Sequence, residues 1–235
     1  MKVTRNLIIL PANHFPEMIT IFQHGEHEPA GTIEDTLQEG NEPFRIFRMY
    51  EGEPVPADPP EKLIILGGQI SVNDDREFPF LAEEKLIVKK AVAHGSAVLG
   101  ICLGAQMIAA ACGKTVYTSE RELGWQMITG CNTPGQRFFP GNFEVFHWHT
   151  ETFDLPEGAC LLATGAAVKN QAFMLNNALG VQFHPEVTKE IIASWAKDLS
   201  ADERALNLKD SEEKLAENRI LCDAIVHAFL AGWRW

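Results

Sequence analysis

Positive charge is what this chain most lacks: 20 Lys and Arg stand against 32 Asp and Glu, a formal net charge of −12 over 235 residues. That balance excludes the basic footprint a nucleic-acid partner requires. Long hydrophobic runs are missing too. No apolar stretch approaches membrane-spanning length, and Lys2 and Arg5 precede only Leu7-Ile-Ile-Leu10 before Pro11, too short for a secretory core. Cysteines number five, an odd count with no Cys-x-x-Cys pair. A closed disulfide framework would leave one over, and structural zinc has no spacing to rest on. No Gly-x-x-x-x-Gly-Lys loop offers a cradle for nucleotide phosphates. The expectation is a soluble protein of a reduced, cytoplasmic setting, with no nucleic-acid or membrane partner.

What is present points to an α/β fold. Hydrophobic residues make up 46% of the chain, enough for a sizeable core in one domain. Strand-like segments at Met18–Phe22, Phe44–Met49, Lys62–Leu66, Ala97–Ile101 and Val181–Phe183 alternate with helical ones. That alternation predicts a mainly parallel central sheet flanked by helices in three layers, flavodoxin-like. Leu81–His94 carries apolar residues at helical spacing and stops at Gly95. Lys114–Leu175 reads as short strands (Thr115–Tyr117, Gln126–Thr129, Phe143–Phe146, Gln171–Met174) forming a small antiparallel extension. Thr188 is placed to cap a helix reaching Lys197. Asp210-Ser-Glu-Glu213 opens a last helix whose Leu215, Leu221, Cys222, Ile225, Val226 and Phe229 form a stripe packed on the domain. The whole of 1–235 reads as a single domain with a helical C-terminal extension from about 188.

The chemistry-bearing features sit at strand ends. Val98–Ile101 runs into Gly100-Ile-Cys102-Leu-Gly104, the pattern of a nucleophile elbow with cysteine at its tip. The turn is so sharp that side chains on both sides would collide, hence glycine at 100 and 104. A helix from Leu103 places Cys102 at a helix N-terminus, where free N–H groups favour thiolate. Cys112 and Cys222 have no flanking glycines and read as packing residues. Leu179–Phe183 runs into His184-Pro185-Glu186: proline holds His184 extended, and Glu186 is close enough to orient its imidazole. After Leu63–Leu66, Gly67-Gly68 lets the backbone approach a ligand closely. The Gly68 and Leu103 amides together predict an oxyanion hole.

These three ordered motifs, spanning Met18 to Val187, resemble the class I glutamine amidotransferase domain with its Cys-His-Glu triad, and most nearly its stand-alone, GMP-synthase-like glutaminases. Gly68-Gln-Ile-Ser-Val-Asn-Asp-Asp75, Glu122-Leu-Gly-Trp125, Phe146–Phe153 and Asn170-Gln-Ala-Phe173 carry that nearer likeness. The resemblance implies Cys102 as nucleophile, His184 as general base and acid, Glu186 as orienting carboxylate, and Gln106 as a contact to the substrate's amino-acid end. Trp148-His149-Thr150-Glu151 resembles the family's Ser-His-Gly-Asp segment and keeps only its histidine. It implies substrate contact by Trp148 and His149.

The implied reaction is attack of the Cys102 thiolate on the side-chain amide of glutamine, giving a thioester that water hydrolyses to glutamate and ammonia. A separate synthetase subunit would take the ammonia. Two alternatives stand beside it. One is a γ-glutamyl peptidase or hydrolase using the same triad; the other is a catalytically silent binding protein on the same fold. No cofactor is implied, and no metal: His147 and His149 share a strand face, but spacing places no third ligand. The acidic, Pro-rich Tyr50–Pro60 reads as a solvated loop.

Overall fold

The computed structural model describes residues 18–132, 139, 141–208 and 211–233. The expectations for Met1–Leu10 and for Asp210 lie outside them. Among the described residues nine strands form one sheet in the order β2-β1-β3-β4-β9-β8-β7-β5-β6. Its parallel half contains β1 (Ile19–Gln23), β2 (Phe44–Arg48), β3 (Lys62–Ile65), β4 (Ala97–Ile101) and β9 (Ala178–Val181). Successive residues of these strands feed opposite layers, as the pleat requires. Leu63 and Ile65 pack with α2 (Phe80–His94) and α3 (Leu103–Ala111), whereas Ile64 and Leu66 pack with α1 (Thr32–Glu39) and α6 (Ser211–Leu230). Strands covered on both faces need apolar residues at every position. β1 and β4 are accordingly buried throughout. The three-layer α/β expectation holds.

Local signals act where they were read. Gly95 ends α2 in the left-handed conformation, φ 80°, its N–H donating to the carbonyls of Ala91 and Val92. Thr188 caps α4 (Lys189–Trp195), its Oγ1 accepting from Ile191 N–H at 3.3 Å, and a 3-10 turn carries the chain on to Asp198. Cys222, Ile225, Val226 and Phe229 of α6 are fully buried against the sheet and α1.

Three expectations need correction. The last parallel strand is Ala178–Val181 rather than Val181–Phe183, because β4 pairs Val98–Ile101 with those four residues. The antiparallel part is not small. β5 (Val116–Gly130) and β6 (Asn142–Phe153) are 15 and 12 residues long, since a bulge between Thr118 and Glu122 absorbs the polar Ser-Glu-Arg run that reads as a break. With β7 (Cys160–Gly165) and β8 (Ala172–Leu175) they make up the other half of the sheet. Helices α1 and α5 (Ala201–Leu208) went unread because they are short and acidic. α1 buries only Ile33 and Leu37 among its apolar residues.

Candidate functional site

β4 delivers Cys102 to the sheet's edge in a strained backbone state, φ 50° and ψ −104°, a left-handed value that side-chain-bearing residues rarely adopt. The flanking glycines are sterically required. A Cβ on Gly100 would lie 2.4 Å from the Gly104 carbonyl oxygen, and one on Gly104 would lie 2.1 Å from that of Ile65. The elbow is pinned by Cys102 N–H to Val181 O at 2.8 Å and by Gln106 N–H to Cys102 O at 3.1 Å. Gly67 and Gly68 pass beside it: a Cβ at 67 would sit 3.0 Å from His184 Cε1 and 3.7 Å from Cys102 Cβ, and one at 68 only 2.8 Å from Leu103 Cδ2. Gly68 thus passes beside Leu103, the two residues whose amides are expected to form an oxyanion hole.

The His184 turn is held from several sides. His184 Nδ1 lies 2.8 Å from Glu186 Oε1, and His184 N–H donates to Phe146 O at 2.8 Å. Asn218 Nδ2 of α6 donates to Pro185 O at 2.8 Å, and Thr32 N–H at the start of α1 donates to Glu186 O at 2.9 Å. The Trp195 ring meets the imidazole edge-on, centroids 4.8 Å apart. Burial disfavours charge on this ring, but the Glu186 carboxylate and the Cys102 sulfur outweigh it and push His184 up to about 10.

Cys102 opens into a cleft of about 550 Å³ whose walls include Gly68, Gln106, Glu122, Trp148, His149 and Trp195. Gln106 is buried, its Nε2 donating to Glu151 O at 3.2 Å and Gln182 Oε1 at 3.3 Å. Sequence reading missed Glu28, Gln182 and Glu122. Glu28 lines the smaller recess that also holds Cys102 and His184. Burial pushes its carboxyl up despite a 2.9 Å bond from Gln69 Nε2. Gln182 lies in plain view in the sequence, within the Leu179–Phe183 run that leads into His184.

Glu122 is the third partner that the His147/His149 pair lacked. Its Oε2 lies 3.3 Å from His147 Nδ1 and 3.0 Å from His149 Nε2, and accepts from Gln171 Nε2 at 2.7 Å. Burial alone would raise this carboxyl, but the two histidines and Gln171 hold it well below the usual carboxylate range. Burial also keeps His147 below its ordinary value.

The structure corrects the expected Cys-His-Glu relay. The cluster in which buried acid–base donor atoms converge is Glu122-His147-His149, and it contains no cysteine. Cys102 Sγ is instead held by Gln182 Nε2, donating at 3.6 Å, and lies 4.0 Å from the Trp148 carbonyl. His184 Nε2 makes no hydrogen bond among the described residues. Cys102 and His184 border one recess, and the sulfur is close enough to help raise the imidazole, but no hydrogen bond of ordinary geometry joins base to nucleophile. The reading of the chain as a working Cys-dependent glutaminase, with its thioester route, is not carried forward.

Comparison with known proteins places the fold and these motifs. Residues 33–193 match the family Glutamine amidotransferase class-I. The chain is 33% identical over 181 residues to the glutamine amidotransferase-like protein YfeJ of Salmonella typhimurium, covering 72% of this chain and 75% of that protein. It is 29% identical over 171 residues to the GMP synthase [glutamine-hydrolyzing] of Thermosipho melanesiensis, covering 67% of this chain but only 31% of that enzyme. Among solved structures, a glutamine amido transferase from Methylobacillus flagellatus superimposes with a TM-score of 0.86 at 26% identity, covering 92% of this chain and 95% of that one. With more than half of its length matched to the family and its motifs at the strand ends of the same fold, the chain belongs to the class I glutamine amidotransferases.

Proposed function

We propose that this family member is a binding module rather than a hydrolase: its cleft takes the γ-glutamyl group of glutamine or a γ-glutamyl amide and does not cleave it. The observation that carries the reading is the engagement of the Cys102 thiol by Gln182 and the Trp148 carbonyl, with no hydrogen bond of ordinary geometry from the nearby His184 Nε2. The Gly68 and Leu103 amides receive the ligand's carbonyl oxygen, and Gln106, Trp148 and His149 contact its amino-acid end. Cys102, His184 and Glu186 form the floor beneath the amide.

A separate synthetase-type subunit is the partner we assign. It is supported by similarity to the GMP synthase, of which this chain spans 31%. No helix among the described residues is long and apolar enough to cross a membrane. Cys102, Cys112, Cys160 and Cys222 carry free thiols, which supports a reducing, cytoplasmic setting.

Calorimetric titration of glutamine and of a γ-glutamyl dipeptide into the wild type and Cys102→Ala tests this, with glutamate release measured on the same samples. We expect binding by both proteins and no glutamate release that depends on Cys102. Absence of binding, or turnover that Cys102→Ala abolishes, overturns the reading.

A further inference from the structure

The Glu122-His147-His149 cluster has a feature that hydrogen bonding among neutral side chains does not resolve. His149 Nδ1 lies 3.2 Å from the Glu151 carbonyl oxygen. A carbonyl only accepts, so the ring proton belongs on Nδ1. In the neutral ring the lone pair of His149 Nε2 then points at Glu122 Oε2, 3.0 Å away, two electron-rich atoms facing each other in a buried site. Either a second ring proton or a metal cation has to lie between them. His147 Nδ1 closes the triangle, 3.3 Å from Glu122 Oε2 and 3.3 Å from His149 Nε2.

These separations suit three donors around one metal ion as well as they suit hydrogen bonds. Zinc bonds imidazole nitrogen and carboxylate oxygen at about 2.0–2.2 Å, so donors in a tetrahedral set stand about 3.3 Å apart. The three edges here are 3.0, 3.3 and 3.3 Å. Outer contacts of the kind that fix metal ligands are also present. The Glu151 carbonyl sets the His149 tautomer, and Gln171 Nε2 and Val168 N–H orient the two Glu122 oxygens at 2.7 and 3.3 Å. Two histidines and one carboxylate leave a fourth position open, and Glu122 and His149 both face the cleft, which gives a cation a way in.

We propose that Glu122 Oε2, His147 Nδ1 and His149 Nε2 form a binding site for one divalent d-block cation of the zinc type, with its open position toward the cleft. This inference shares only His149 with the γ-glutamyl reading; the Gly68 and Leu103 amides that receive the ligand's carbonyl are not metal donors, so ion binding and amide binding can fail separately.

Metal-stripped full-length protein should be titrated with Zn²⁺ by calorimetry, and with Co²⁺ while its visible absorption is recorded. The expected result is one ion per chain, a Co²⁺ spectrum of nitrogen and oxygen ligands with no thiolate charge-transfer band, and at least a tenfold loss of affinity in Glu122→Gln. Cys102→Ala is expected to bind as the wild type does. No binding above weak surface association would mean that a shared proton fills the gap, and would overturn the proposal. A thiolate band, or binding lost in Cys102→Ala and kept in Glu122→Gln, would overturn it equally. The wild-type Co²⁺ spectrum decides even if Glu122→Gln fails to fold.

Discussion

Two histidine–carboxylate sites border the space around Cys102, and the chain specifies them by different means. His184 and Glu186 are two residues apart on one turn, so their 2.8 Å contact is local. Glu122 and His149 are brought together by strand pairing: they stand opposite each other in the β5–β6 register, with His147 opposite Gly124. A turn survives a slip in the sheet. A register does not, because a one-residue shift would carry both His147 and His149 to the other face. The first site therefore depends on backbone close to it in sequence, and the second on a ladder begun more than twenty residues earlier.

The largest effect that breaks this comparison should come from Gly104→Ala. Its Cβ would meet the Ile65 carbonyl oxygen at 2.1 Å, where backbone has to move, so we expect a cost of about 3 kcal/mol or more. A lowered urea midpoint, with faster alkylation of Cys102, is the reading that checks it. Glu122→Ala strikes the other site and leaves two buried histidines without their carboxylate. Its expected cost is about 3 to 5 kcal/mol, measured by the same denaturation. Retention of full stability would show that Glu122 holds nothing together.

Opposite pH responses sharpen the contrast in metal-free protein. His184 rises from 6.5 to about 10 on folding, so its contribution is complete below pH 6.5 and lost as pH climbs through 10. His147 moves below 6.5 and Glu122 below 4.5. Their contributions are present above those values and are lost as pH falls. Glu186→Gln should therefore flatten the alkaline limb of stability against pH, and Glu122→Gln the acid limb; the reverse pattern would refute the assignment. The smallest expected effect is Thr188→Ala at the start of α4, where losing the side-chain cap costs about 1 kcal/mol in thermal unfolding.

Legibility follows the same division. The elbow, the Gly67-Gly68 loop and the His184-Pro185-Glu186 turn were readable because each is a short run whose residues meet one another directly. Gly95 and Thr188 were readable for the same reason. Glu122 was not, although Glu122-Leu-Gly-Trp125 was noticed, because only the bulge after Thr118 sets which residue of β5 faces His149. Nor was the hydrogen bonding of the thiol, which depends on where Gln182 and the Trp148 carbonyl arrive from β9 and β6. Helix α1 escaped because most of its residues are polar and its place is fixed by Glu186, far along the chain.

The bonds from Asn218 to the carbonyls of His184 and Pro185 carry a consequence for how the molecule is made. During synthesis the chain emerges from its N-terminal end, so β1 to β9 leave the ribosome before the helix that holds this turn. The imidazole stays loosely placed until α6 has cleared the exit tunnel and docked. A nascent chain stalled before Asn218 should thus carry a nearly finished sheet with an unfinished edge, and whatever binds at that edge would meet it complete only once α6 has docked.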